Sequence, residues 1–138
     1  MAKDIQVVFD CRDPDQLATF WASALEYEKP PPPAGYDSWQ NWARERGIAE
    51  NVASAAEDPG GGGPRLFFQR VPESKVAKNR VHLDINVGGP AGDERRRMVD
   101  EEVDRLVGLG ASKLGSLEEH GGYWVNMLDP EGNEFDVQ

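Results

Sequence analysis

Residues 129–137, DPEGNEFDV, run from a turn straight into a strand. Asp129-Pro130-Glu131-Gly132 carries turn chemistry, and Phe135 and Val137 then alternate with Glu134 and Asp136. Residues 58–71, DPGGGGPRLFFQRV, follow the same plan. Asp58-Pro59 opens a glycine turn, and Phe68-Gln69 stands where Phe135-Asp136 stands in the later copy. The first copy holds about four more turn residues, a loop insertion of small entropic cost. Two such segments at corresponding places point to an internal duplication, which is sought before any other pattern.

The rest of the chain fits two halves. Residues 4–10, DIQVVFD, read as a strand. In DPDQLATFWASALEY, Asp13 can cap a helix, Pro14 suits its first position, and Gln16 has capping-box spacing. Leu17, Phe20, Trp21 and Leu25 make its apolar face. The prolines at 30–33 form an extended spacer, YDSWQNWARERGI a short helix, ENVASAA a weak strand, and PRLFFQRVP a strong one. In the second half, VHLDINV (81–87) alternates cleanly. DERRRMVDEEVDRLVGLGA is amphipathic through Val99, Val103 and Leu106, with Gly110 as its end cap. SKLGSLEE, GYWVNML and NEFDV supply three further strands. The expected fold is α+β, with two β-α-β-β-β modules at about 4–72 and 81–138 and a linker at 73–80. Gln6 lies seven residues before Asp13-Pro14, and His82 seven before Gly89-Pro90, which makes them equivalent by this count.

Composition excludes several function classes. A chain of 138 residues with 38% hydrophobic content suits one globular domain. A net charge of −10 argues against nucleic acid, and no apolar run suits a membrane span or a signal peptide. The single cysteine, Cys11, fits a reducing cytoplasm and is expected to pack rather than react.

Residues two apart on a strand share a face. Gln6, Gln69, His82 and Asp136 thus come from four strands and point away from the helices, together with Asp84 and Glu134. Polar alternation alone also suits a sheet with one wet face. Val8, Phe67 and Trp124 share the non-helical face, however, and aromatics mixed with a few polar groups are typical of a pocket lining.

These features resemble the vicinal oxygen chelate superfamily of glyoxalase I, extradiol dioxygenases, fosfomycin-resistance enzymes and bleomycin-resistance proteins. The likeness is strongest to the glyoxalase-like domain group, through DCRDPDQLATFWASAL, PRLFFQRVPESKVAKNRVHLDI and YWVNMLDPEGNEFDV. The resemblance implies a curved mixed sheet whose cupped pocket holds a divalent metal on the first and last strands of each module. By position the ligands would be Gln6, Gln69, His82 and Asp136. Glyoxalase I carries a metal-binding, proton-moving glutamate where Gln69 stands, and an amide cannot be that base. Asp136 and Asp84 are then the candidate catalytic carboxylates, with Glu134 as a further candidate base.

Two amides, one imidazole and one carboxylate are a poor set for zinc and suit a harder ion better. Zinc, nickel, cobalt, manganese and iron all come into consideration, as does no cofactor. The function implied is a small-molecule-binding protein, either a metal-dependent lyase or isomerase for vicinal-oxygen substrates or a metal-free sequestering protein of the bleomycin-resistance type. A homodimer is implied as well. Trp39 and Trp42 suit a lid or core cover, His120 an exposed loop, and the Lys75–Lys78 connector a solvated link.

Overall fold

The computed structural model describes residues 1–138 and divides them into two compact units, Met1–Ser74 and Lys75–Gln138.

In the first unit β1 (Gln6–Cys11), α1 (Pro14–Leu25), α2 (Trp39–Glu45), β2 (Ala53–Ala56) and β3 (Arg65–Arg70) follow in order. The sheet runs β1-β3-β2, with β1 parallel and β2 antiparallel to β3. Asp13 starts α1 by accepting the Gln16 N–H at 3.2 Å, with Pro14 at the first turn. Asn51 Nδ2 holds the same carboxylate oxygen at 2.8 Å. These two bonds, the Asn51 one first, keep the Asp13 carboxyl below its ordinary value. Leu17, Phe20 and Trp21 of α1 are buried with Leu66 and Phe68 of β3. Phe9 stacks on Phe68 with centroids 5.0 Å apart and leans on Trp21 at 5.4 Å. Each such large side chain, once buried, contributes about 1.5–3 kcal/mol.

The second unit contains β4 (Asp84–Ile85), α3 (Asp93–Leu109), β5 (Ser112–Glu119), β6 (Gly122–Leu128) and β7 (Glu134–Val137). Its sheet runs β4-β7-β6-β5, with β4 parallel to β7 and the other pairs antiparallel. Val99, Val103 and Leu106 of α3 are buried, as are Val125, Met127, Phe135 and Val137. Asp93 and Glu94 in the first turn favour the positive end of the helix dipole. Gly110 ends α3 at φ 120°, a value that favours glycine.

Each unit places its first strand parallel to its last and its next-to-last antiparallel, as a duplication requires. The two Asp-Pro turns are also built alike. Asp58 accepts from the Gly60, Gly62 and Gly63 N–H groups, each at 2.8 Å. Asp129, 3% exposed, accepts from the Glu131 and Asn133 N–H groups at 2.9 and 3.0 Å.

Two expectations need correction. The first half lacks one of the three strands expected after its helix; only a bridge between Glu28 and Glu57 marks the place. Prolines 30–33 follow Glu28 and have no N–H to extend a ladder. The strand at 81–87 is also shorter, and only Asp84–Ile85 has strand geometry. The Asp136 N–H still donates to the Leu83 carbonyl at 3.0 Å, and the Val87 N–H to the Gln138 carbonyl at 2.8 Å. Gly88 and Gly89, at φ 73° and 75°, turn the chain away immediately afterwards.

Candidate metal centre

β6 and β7 form an antiparallel hairpin in which Asn126 faces Asp136. The parallel β4/β7 ladder sets Asp84 opposite Asp136 on the other side. Val125, Met127, Phe135 and Val137 fill the core, so Trp124, Asn126 and Asp136 project from the opposite face. His82, two residues before Asp84, lies just outside the strand.

These positions bring one imidazole and two carboxylates together. His82 Nε2 is 3.3 Å from Asp84 Oδ1 and 3.4 Å from Asp136 Oδ2. One ligand atom from each of the three side chains falls within 4.8 Å of the others. Asp136 is the most enclosed at 17% side-chain exposure, against 38% for Asp84 and 46% for His82. Each carboxylate has its other oxygen engaged. Asn126 Nδ2 donates to Asp136 Oδ1 at 2.6 Å, and Gln138 Nε2 to Asp84 Oδ2 at 3.1 Å. One imidazole and two carboxylates suit a divalent ion of intermediate to hard character, and the donor set fits such an ion better than the two-amide set expected from sequence.

The first-unit candidates are arranged differently. Gln6 faces Arg65 in the β1/β3 ladder, and its Oε1 accepts from Arg65 Nη1 at 2.6 Å. Gln69 faces Asp10, and its Nε2 donates to Asp10 Oδ1 at 2.7 Å. The two amides thus sit four ladder positions apart, about 13 Å along the strand. The ladder does not bring them together.

The supposed equivalence of Gln6 with His82 also fails. Asp10 opposite Gln69 matches Asp84 opposite Asp136, so the residue two before Asp10, Val8, takes the place of His82. Val8 and Phe67 face one another on the non-helical side of β1/β3, with the Arg65 guanidinium 5.4 Å from the Phe67 ring. Trp124 occupies the corresponding face of β6, opposite Leu117.

The other candidates make local contacts of their own. Glu134 accepts from the Asn79 N–H at 3.0 Å and pairs with Lys75 at 3.0 Å, tying the connector to β7. The Asn79 bond, aided by the Lys75 ammonium, lowers its carboxyl below the ordinary value. Trp39 donates to the Pro30 carbonyl at 2.9 Å and meets Trp42 edge-on at 5.4 Å. His120 and Gly121, at φ 50° and 78°, form the β5–β6 turn. Cys11 is buried, its Sγ donating to the Gln69 carbonyl at 3.4 Å. The sequence offers Asp84 as a catalytic carboxylate beside His82 rather than as a ligand, and gives Asn126 and Gln138 no role as amide partners of the two aspartates. Counting back from the DPEGN turn to find the residue opposite Asp136 would have identified Asn126.

A sequence model described as "Glyoxalase-like domain" matches residues 6–138. Among curated proteins, none matches the chain. Solved structures share its fold at low identity. A glyoxalase/bleomycin resistance protein/dioxygenase family enzyme from Burkholderia phytofirmans is 16% identical, covering 96% of this chain and 94% of that one, with a TM-score of 0.66. The fosfomycin resistance protein FosX from Listeria monocytogenes, a mutant complexed with Mn(II) and 1S,2S-dihydroxypropylphosphonic acid, is 11% identical over 100% and 92%, with a TM-score of 0.68. A possible glyoxalase from Bacillus cereus is 15% identical over 100% and 99%, with a TM-score of 0.63. No helix of the chain is long and apolar enough to cross a membrane. The match across residues 6–138 shows that the chain belongs to the glyoxalase-like domain family.

Proposed function

We propose that the chain is a divalent-metal-dependent lyase or isomerase for a small substrate with two neighbouring oxygens, built on His82, Asp84 and Asp136. The observation that carries this reading is the convergence of three ligand atoms within 4.8 Å. Support comes from FosX of Listeria monocytogenes, complexed with Mn(II) and a dihydroxypropylphosphonic acid. A bound divalent ion supplies Lewis-acid polarisation of the substrate oxygens. The chain supplies the imidazole and carboxylates that hold the ion, and Asp84, the more exposed carboxylate, accepts a proton from the substrate atom beside those oxygens. The proposal extends to a homodimer, supported by the exposed Leu114 and Leu117 on the edge strand β5, and to a reducing compartment, supported by the single cysteine.

The test is metal analysis of protein purified without chelators, followed by thermal melts with added Mn²⁺, Ni²⁺, Co²⁺ or Zn²⁺. At a hundredfold excess over Kd, the expected stabilisation is about 2.7 kcal/mol, a rise of roughly 5–10 °C in Tm. Absence of both stoichiometric metal and any shift overturns the metal-dependent reading.

A second reading, metal-free capture of an aromatic cation, is favoured by Trp124 sharing its face with the Asp136 carboxylate. In that case affinity survives His82→Ala and is lost in Trp124→Ala.

A further inference from the structure

Asp84 and Asp136 are treated alike by their neighbours. Each has one oxygen bound by a side-chain amide and the other facing the same imidazole nitrogen. Asn126 Nδ2 takes Asp136 Oδ1 at 2.6 Å, leaving Oδ2 at 3.4 Å from His82 Nε2. Gln138 Nε2 takes Asp84 Oδ2 at 3.1 Å, leaving Oδ1 at 3.3 Å from the same nitrogen. The two amides reach the carboxylates from different strand positions: Asn126 from the neighbouring strand β6, and Gln138 from the residue after β7.

An amide NH₂ donates to a carboxylate oxygen and competes with any cation for that oxygen's lone pairs. Two donors placed this way select which oxygen of each aspartate is presented and fix its direction. Asn126 is only partly exposed and its bond is short, which makes it the stronger of the two constraints.

We propose that Asn126 and Gln138 are positioning residues that present one oxygen of each aspartate, Asp136 Oδ2 and Asp84 Oδ1, to a divalent cation. This inference rests on the metal-dependent reading above. A group that orients a ligating carboxylate is typically worth ten- to a hundredfold in metal affinity.

The experiment measures Mn(II) binding to the full chain by the loss of the free-ion electron paramagnetic resonance signal. It compares wild type, Asn126→Ala, Gln138→Ala, the double variant and His82→Ala, with the metal-free Tm of each. The expected result is a Kd roughly ten- to a hundredfold weaker for Asn126→Ala, a smaller loss for Gln138→Ala, and losses that multiply in the double variant. The Co(II)-loaded variants are also expected to show altered visible spectra, because a released carboxylate can offer both oxygens. A purely structural amide would lower the metal-free Tm while leaving the Co(II) spectrum unchanged. Gln138 is exposed, so its variant tests the idea even if Asn126→Ala folds poorly. Mn(II) affinity within twofold of wild type in both amide variants, with His82→Ala still abolishing binding, overturns the positioning role and leaves the metal site standing. No saturable Mn(II) binding by wild type overturns both.

Discussion

Asp10 and Gln69 face each other across the β1/β3 ladder and are joined by a 2.7 Å hydrogen bond, where the second unit sets Asp84 opposite Asp136. The same ladder position therefore holds a self-satisfied acid–amide pair in one unit and two acids beside a histidine in the other. With Val8 at the place of His82, the first copy has no imidazole to gather its polar groups. The second unit carries the proposed chemistry.

Gln6→Ala tests the ladder register directly. Gln6 faces Arg65 and accepts from its guanidinium, at the opposite end of β1 from Asp10. The expected outcome is Mn(II) affinity within twofold of wild type, measured by the same free-ion signal. A loss of tenfold or more would restore Gln6 to the ligand set.

Stability should depend on Glu134 in acid. The Asn79 N–H and the Lys75 ammonium favour its charged form, so its folded value lies below its unfolded one. The unfolded chain then binds more protons as pH falls through the carboxylate range. The stabilisation is complete above the ordinary glutamate value of about 4.3 and is lost as pH drops through the lower folded value. Urea unfolding at pH 7, 5, 4 and 3 should show a shallower acid loss for Glu134→Gln than for wild type, because the amide cannot titrate.

Asp129 organises the turn that aims β7. Its buried carboxylate accepts from the N–H groups of Glu131 and Asn133 and from Asn133 Nδ2. Asp129→Ala leaves those donors without their acceptor and should cost about 1–3 kcal/mol, read by urea denaturation. Because β7 carries Asp136, the same variant should also weaken Mn(II) binding.

His120 is a non-glycine residue at φ 50° in the β5–β6 turn, followed by Gly121 at φ 78°. Two successive positive φ values favour Asn-Gly, since a left-handed residue with a larger side chain costs more. His120→Asn should raise stability by about 0.5–1 kcal/mol without changing metal affinity. A loss of affinity would place His120 at the site.

Much of the fold was legible because its signals are local. The Asp13-Pro14-Gln16 cap, the apolar faces of α1 and α3, and the paired Asp-Pro turns each follow from short-range chemistry. The ladder register was not legible from spacing to Pro14 and Pro90. Pro14 opens α1 directly, whereas Pro90 lies in a loop that follows Gly88 and Gly89 and precedes α3 at Asp93. That loop holds two more residues between the ladder position and the proline, which moved the inferred partner of His82 from Val8 to Gln6. A two-residue slip keeps the same face, so Gln6 and Val8 lie on one side of β1 and differ only in their position along it. The lost strand after Glu28 was visible in prolines 30–33, whose missing N–H groups forbid it.

The most direct test of the proposed centre is Mn(II) titration of the full chain, followed by the free-ion paramagnetic signal in wild type, His82→Ala and Asp136→Asn. The expected result is saturable binding of one ion per chain in wild type, abolished by His82→Ala and weakened at least tenfold by Asp136→Asn. Unsaturable uptake by wild type, or saturable binding that His82→Ala leaves unchanged, would contradict a metal centre at His82, Asp84 and Asp136.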